Sequence, residues 1–287
     1  MVRRILAEVI VAIALAFGLA FSVTGGVVQA APLNPTAPTQ GRSAGFSVLA
    51  GTAVTCTDST VTGDVGVYPG TAITQTNCVI QGTVHPGDTT AEAAYNDFLD
   101  AYDALSLEPC DEVLTGTLAG VTLAPGVYCF DAAATLTGQL TLDGPANGVW
   151  IFKIGTGGTG ALTGTSFSVV MAGGGQSCNV YWWVAEAATL TDSNFVGTIL
   201  AGAAITVTRG TFAGDIYAKA AVTMTGTSLV GCEGGNGNGG GRGCNQGVGN
   251  GPEDCDPGNS NQGDSDRSND EVGGTPGDPG RKGGNGK

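Results

Sequence analysis

Pairs of threonines flanking one further residue are the most regularly spaced side chains in this chain. Thr189 and Thr191 flank Leu190, Thr206 and Thr208 flank Val207, and Thr223 and Thr225 flank Met224, at an offset of 17 residues each time. Looser copies lie upstream: Thr55 and Thr57 around Cys56, Thr74 and Thr76 around Gln75, Thr135 and Thr137 around Leu136, and Thr163 after Leu162. A threonine offers one hydroxyl and one methyl. The hydroxyl holds a water, while the methyl leaves neighbouring waters caged rather than strongly bound. Ranks of such residues at a fixed spacing would template an ordered layer of water. Lysine or aspartate would instead organise water around its own charge. The plainer reading is that threonine simply suits exposed strands. Against it stands the recurrence of the pairs in repeat after repeat, with few charges between them.

The residues that could break or make bonds are poorer candidates. Gly41-Arg42-Ser43-Ala44-Gly45 matches the G-x-S-x-G hydrolase elbow, which needs a strand before the serine, a helix after it and a histidine in reach. It sits instead beside a proline-rich lead-in, with only His85 available as base. His85 itself precedes Pro86-Gly87 and reads as a solvated turn residue. Gly155-Thr156-Gly157-Gly158-Thr159-Gly160 matches G-x-G-x-x-G, but a strand pattern follows from Ala161, so no helix start is there to hold a pyrophosphate. Asp97, Asp100 and Asp103 follow one another at helical steps; they read as a solvated polar face rather than a paired-carboxylate site. No catalytic residue and no cofactor are expected.

The elements that must position the threonines follow from the repeat. Ala187-Ala188-Thr189-Leu190-Thr191 recurs as Ala204-Ile205-Thr206-Val207-Thr208 and as Ala221-Val222-Thr223-Met224-Thr225. Phe195, Phe212 and Leu229 keep the same offset, as do Gly197, Gly214 and Gly231. A short fixed period rich in β-branched residues predicts a solenoid, in which each coil buries its inner face on the next. Side chains alternate along a strand, so Leu190, Val207 and Met224 pointing inward put their flanking threonines outward. Stacked coils would set these in two ranks about 4.7–4.9 Å apart from coil to coil. One segment breaks the pattern. From 89 to 107 apolar residues recur at three- and four-residue steps, which predicts a helix, with Thr89 and Glu92 as a capping box and Asp88 adding charge at its start. Its wide apolar side should lie along the solenoid.

Composition narrows the partners. The net charge is −14, with one histidine and 11 basic residues, a poor match to a nucleic-acid backbone. Residues 1–30 read as an export signal, with Arg3 and Arg4 before an apolar run and Val28-Gln29-Ala30 as a cleavage site. A retained anchor is the alternative. Residues 31–42 read as a proline-rich lead-in, 43–232 as one β-solenoid domain and 233–287 as a disordered Gly/Asn/Asp-rich tail, too poor in aliphatics to offset its ordering entropy. The acidic clusters Glu253-Asp254-Cys255-Asp256 and Asp264-Ser265-Asp266 would bind calcium weakly at most, since the EF-hand glycine is replaced by Asn269. The expected product is a secreted monomer, free of the membrane after cleavage. Eight cysteines fit export. Paired by locality they give Cys56–Cys78, Cys110–Cys129, Cys178–Cys232 and Cys244–Cys255, among about 105 possible pairings.

Taken together, the chain resembles the microbial ice-binding proteins. The resemblance is carried by Phe46-Ser47-Val48-Leu49-Ala50-Gly51, Gly63-Asp64-Val65-Gly66-Val67-Tyr68-Pro69-Gly70, Leu123-Ala124-Pro125-Gly126-Val127-Tyr128, Val149-Trp150-Ile151-Phe152-Lys153-Ile154-Gly155 and Cys178-Asn179-Val180-Tyr181-Trp182-Trp183-Val184. It implies a mainly β fold: a discontinuous right-handed β-solenoid of triangular cross-section with one long α-helix alongside, the early coils lying beside the late ones. It also implies that a flat face adsorbs to ice. The family's T-x-T and T-[AG]-x-[TN] patterns fall on the three regular threonine pairs, on Thr163-Gly164-Thr165-Ser166 and on Thr191-Asp192-Ser193-Asn194. Asp58, Asp192 and Arg209 depart from it by placing charges beside the ranks, where their hydration would roughen the templated water. The alternative is a cell-surface adhesion or envelope protein built on the same solenoid.

Overall fold

Each repeat consists of three straight runs separated by turns. In the coil 180–196, Val180–Val184 forms the first run, 188–191 the second and 194–196 the third, before Thr198–Ala201 opens the next coil. The computed structural model describes residues 35–232, and every statement of structure concerns these. The expected export signal, residues 31–34 of the lead-in, the tail with its acidic clusters, and Cys244 and Cys255 lie outside the described residues.

All strands pair in parallel. First runs stack into a nine-stranded sheet, and the second and third runs form the sheet beside it, giving each coil a triangular outline. The stack is not in chain order. Phe46–Ala50 lies between Asp64–Val67 and Ile216–Ala218, so the first coils of the chain continue the stack that the last coil would otherwise end. The second runs make the same splice: Ala53–Thr57 pairs with Val222–Val230 on one side and with Ala72–Thr76 on the other.

Alternation determines where the core sits. Val180, Trp182 and Val184 point inward with Leu190, Phe195, Val207 and Phe212, and all are buried. Aromatic rings stack from coil to coil inside, with Phe152 and Trp182 centroids 3.9 Å apart and Phe195 and Phe212 at 5.3 Å. The buried indole of Trp182 donates to the Val196 carbonyl at 2.9 Å, so its polar atom is not left unpaired.

First runs are buried on both faces because helix α1, Thr89–Leu107, covers their outer side. Ala94, Tyr95, Phe98, Ala101, Tyr102 and Leu105 pack on Leu49, Tyr217, Leu200 and Trp183. The cap of α1 differs from the capping box expected from Thr89 and Glu92. Asp88 is the N-cap and accepts from the Ala91 amide at 2.8 Å, while Glu92 accepts from the Tyr68 hydroxyl at 2.6 Å. A carboxylate one residue earlier reaches the same unpaired amides with a full charge, and that hydrogen bond holds Asp88 below the usual carboxylate range. At the other end Lys153, only 4% exposed, donates its Nζ to the carbonyls of Ser106 and Glu108 at 2.9 and 2.5 Å. Cys56–Cys78, Cys110–Cys129 and Cys178–Cys232 are disulfides, as locality suggested.

Candidate functional site

The second runs carry the threonine pairs, and parallel register turns those pairs into two rows. Thr74, Thr55, Thr223, Thr206, Thr189, Thr163 and Thr135 are successive cross-strand neighbours and make the first. Thr76, Thr57, Thr225, Thr208, Thr191 and Thr165 make the second. Thr137 closes it at a bulge, where the register shifts between Leu136 and Gly138. The residues between the pairs face the core: Val207 is 3% exposed, and Cys56, Met224, Leu190 and Leu136 are fully buried. Strand geometry sets about 4.8 Å between coils and about 6.6 Å between the two rows. Among the described residues, the row hydroxyls have no protein hydrogen-bond partner.

Thr165 was not among the thirteen threonines found by alternation. Its inward neighbour is Gly164, not an aliphatic, so the apolar half of the pattern is missing there. The Thr-Gly-Thr spacing and the register with Thr191 place it in the second row. A third row, of alanines, runs beside the first. Ala72, Ala53, Ala221, Ala204, Ala187, Ala161 and Ala133 each stand two residues before a row threonine. Ala53 pairs with Ala72, and the ladder bonds from Ala188 N to Ala204 O and from Ile205 N to Ala221 O carry the register on. No charged residue occupies any position of the three rows.

A column of tight corners bounds the second row. Asn77, Asp58, Gly226, Arg209, Asp192, Ser166 and Gly138 all adopt positive φ, from 48° to 71°, one per coil. Left-handed backbone turns the chain from the second run to the third in a single residue. Behind the corner, Ser59 and Ser193 donate to the Thr57 and Thr191 carbonyls at 2.7 and 2.9 Å. These hydroxyls are therefore scaffold, although Ser193 falls within the T-[AG]-x-[TN] pattern. Two of the three charged residues at the corner pair with each other. Arg209 donates Nε to Asp192 Oδ1 at 2.6 Å and a second nitrogen to Oδ2 at 2.8 Å. The guanidinium holds the Asp192 carboxyl below its usual range, and the carboxylate raises the arginine in turn. Asp58 accepts from the Asn77 amide at 3.1 Å.

The third runs also expose uncharged side chains, but these are of mixed size and bond to each other. Thr211 donates to the Asn194 amide oxygen at 2.8 Å, and Thr60 to Ser228 at 3.4 Å. Their polar groups are partly spent, and Val170 and Val230 interrupt them.

Other candidates fall into structural roles. Ser43 is fully buried in a 3-10 turn, and its hydroxyl donates to the Gln40 carbonyl at 2.7 Å. The ring nitrogens of His85 face Asp88 at 2.8 Å and Asp64 at 3.7 Å, so the serine has no base in the geometry of an elbow. Asp97 accepts from the Arg42 amide at 2.7 Å and Asp103 lies 3.6 Å from Lys219, so the helix carboxylates serve separate contacts. Gly155 to Gly160 form a turn that leads into the strand Leu162–Ala172. Among the described residues no group of acidic, histidine or cysteine side chains could hold a metal.

Comparison with known proteins agrees with this geometry. Residues 48–230 match the family described as Ice-binding-like. The chain belongs to that family. An ice-binding protein of Nostoc sp. (strain HG1) is 38% identical over 171 residues, covering 58% of this chain and 62% of the relative. One from Flavobacterium frigoris (strain PS1) is 32% identical over 184 residues, covering 58% of this chain and 65% of the relative. The match thus spans just under two thirds of these relatives' length. Among solved structures, an ice binding protein from an Antarctic biological consortium superposes with a TM-score of 0.66 at 31% identity, covering 72% of this chain and 96% of that one. One from Antarctomyces psychrotrophicus gives 0.65 at 32% identity, covering 70% and 100%. For a member of this family, the likeness to these solved structures lies in the fold.

Proposed function

We propose that this protein adsorbs to ice through the second runs of its solenoid, with the two threonine rows as the contact surface. The observation that carries the reading is the unbroken register of the rows across the splice between Thr55 and Thr223. Each row threonine presents a hydroxyl free of protein partners and a methyl. The rigid sheet behind them holds the array at one spacing, so a surface water layer is ordered before ice is met. The entropy of ordering that layer is then already met by the fold. The third runs serve less well, because part of their polar groups bond to each other and Val170 and Val230 interrupt them.

The reading includes no bond-breaking step and no cofactor. It also includes export: three disulfides persist in an oxidising compartment, and residues 1–30 carry a leader pattern. The described residues contain no helix long and apolar enough to cross a membrane. The activity resides in the solenoid domain, 43–232, which holds both threonine rows. The test is partition of the purified chain into a growing ice crystal, with recrystallisation followed in parallel. Enrichment in the ice fraction is expected. Exclusion of a folded chain from the crystal would refute the reading.

A further inference from the structure

Asp192 and Arg209 hold the same corner position in adjacent coils, directly after Thr191 and Thr208 of the second row. Both take left-handed backbone, with φ of 50° and 57°. In the same column Gly226 and Gly138 adopt that conformation without steric penalty, whereas a residue with a Cβ adopts it at a cost. An arginine is the least expected occupant on conformational grounds. Its side chain passes beside Gly226, where an added Cβ would meet Arg209 Cγ at 3.5 Å. The guanidinium then forms a two-pronged hydrogen bond with Asp192. Both side chains are about half exposed, at 60% and 47%. A pair so exposed adds little to folding, which leaves its presence unexplained by stability.

We propose that the Asp192–Arg209 pair is a charge-cancelling rim for the threonine rows, a role that rests on the ice-adsorption reading. A lone charge beside Thr191 or Thr208 would orient water radially and disturb the layer over the row, at a distance well inside the screening length of ordinary buffer. Two opposite charges locked together leave only a short-range dipole. At these two coils the corner then carries polar groups without adding a net charge to the adjoining face, whereas Asp58, at the far side of the splice, has the Asn77 amide and not a cation as its partner. Asp192 and Arg209 are positioning residues: they act through the water over the rows and need not touch ice.

The test uses the full chain and four variants, D192N, R209Q, the double variant D192N/R209Q, and R209K, measuring ice partition and thermal unfolding on the same samples. Each single neutralisation leaves one unpaired charge and is expected to lower ice partition about threefold, the scale of an exposed charge effect. The double variant removes both charges and is expected to return to the wild-type value. R209K keeps the cancelling charge without the fork and is expected to stay near wild type. Single variants that match wild type would overturn the proposal. So would a double variant as weak as the singles, or losses that simply track a falling unfolding temperature. A wild-type chain that ignores ice would bring down the adsorption reading itself, an outcome distinct from failure of the rim in a chain that does partition.

Discussion

Thr55 lies directly beside Thr223 across the parallel sheet, although one belongs to the first coil of the described chain and the other to its last strand. The splice that breaks the winding order leaves the threonine rows intact. Extending each row over the early coils lengthens a candidate contact surface that the regular repeats alone would end at Thr223 and Thr225.

A prediction follows for the spliced part of the row. Thr55→Lys should lower ice partition as far as Thr206→Lys does. Thr62→Lys, on a third run, should leave it unchanged. Equal partition by the Thr55 and Thr62 variants would confine the contact surface to the late coils.

The turn from third run to first run is tightly packed against the coil before it. Gly214 has φ 146°, and a Cβ there would lie 2.3 Å from the Gly197 carbonyl oxygen of the preceding coil. Backbone cannot give way as a side-chain end can. Gly214→Ala should cost about 3 kcal/mol, read by chemical denaturation. Gly226→Ala, which meets nothing nearer than 3.5 Å, should cost only the backbone penalty of about 1–2 kcal/mol.

Helix α1 is fastened at its C-terminal end by Lys153. Removing the ammonium leaves the carbonyls of Ser106 and Glu108 without their donor in a part-buried place. Lys153→Met should destabilise the fold by about 2 kcal/mol. Amide exchange should rise first in the last turn of α1. Unchanged exchange there would mean that water replaces the lysine without loss.

Stability should also fall at high pH. Burial pushes the Tyr102 and Tyr128 hydroxyls up to about 12, against an ordinary value of 10.0. Raised values mean that folding favours the neutral phenol, which donates to the Ala185 and Ala124 carbonyls respectively. That contribution is whole below the unfolded value near pH 10 and is lost as pH climbs through about 12. Thermal unfolding followed across this window should show a steep decline. The Tyr102→Phe/Tyr128→Phe variant should show a shallower one.

Much of this was legible in the sequence for a physical reason. A coil of fixed length with strict inside-outside alternation writes its register directly into residue spacing, so Thr189, Thr206 and Thr223 announce their alignment. Alternation alone passes over Thr165 because Gly164 supplies no inward aliphatic, and only the resemblance to the family's pattern touches Thr163-Gly164-Thr165-Ser166. The pairing of Asp192 with Arg209 also escaped. Read singly, each looked like a charge that would roughen the face, yet their separation of 17 residues equals one coil and puts them side by side. The Asp88 cap was misplaced by one residue because a capping box and an aspartate cap differ only in which side chain reaches the first amides.

The most direct test of the central claim is ice partition of the Thr206→Lys/Thr208→Lys variant beside wild type, with the fold of both checked by circular dichroism and thermal unfolding. The account predicts that wild type enters the ice and that the folded variant is left in the liquid. A folded variant that partitions like wild type would contradict it.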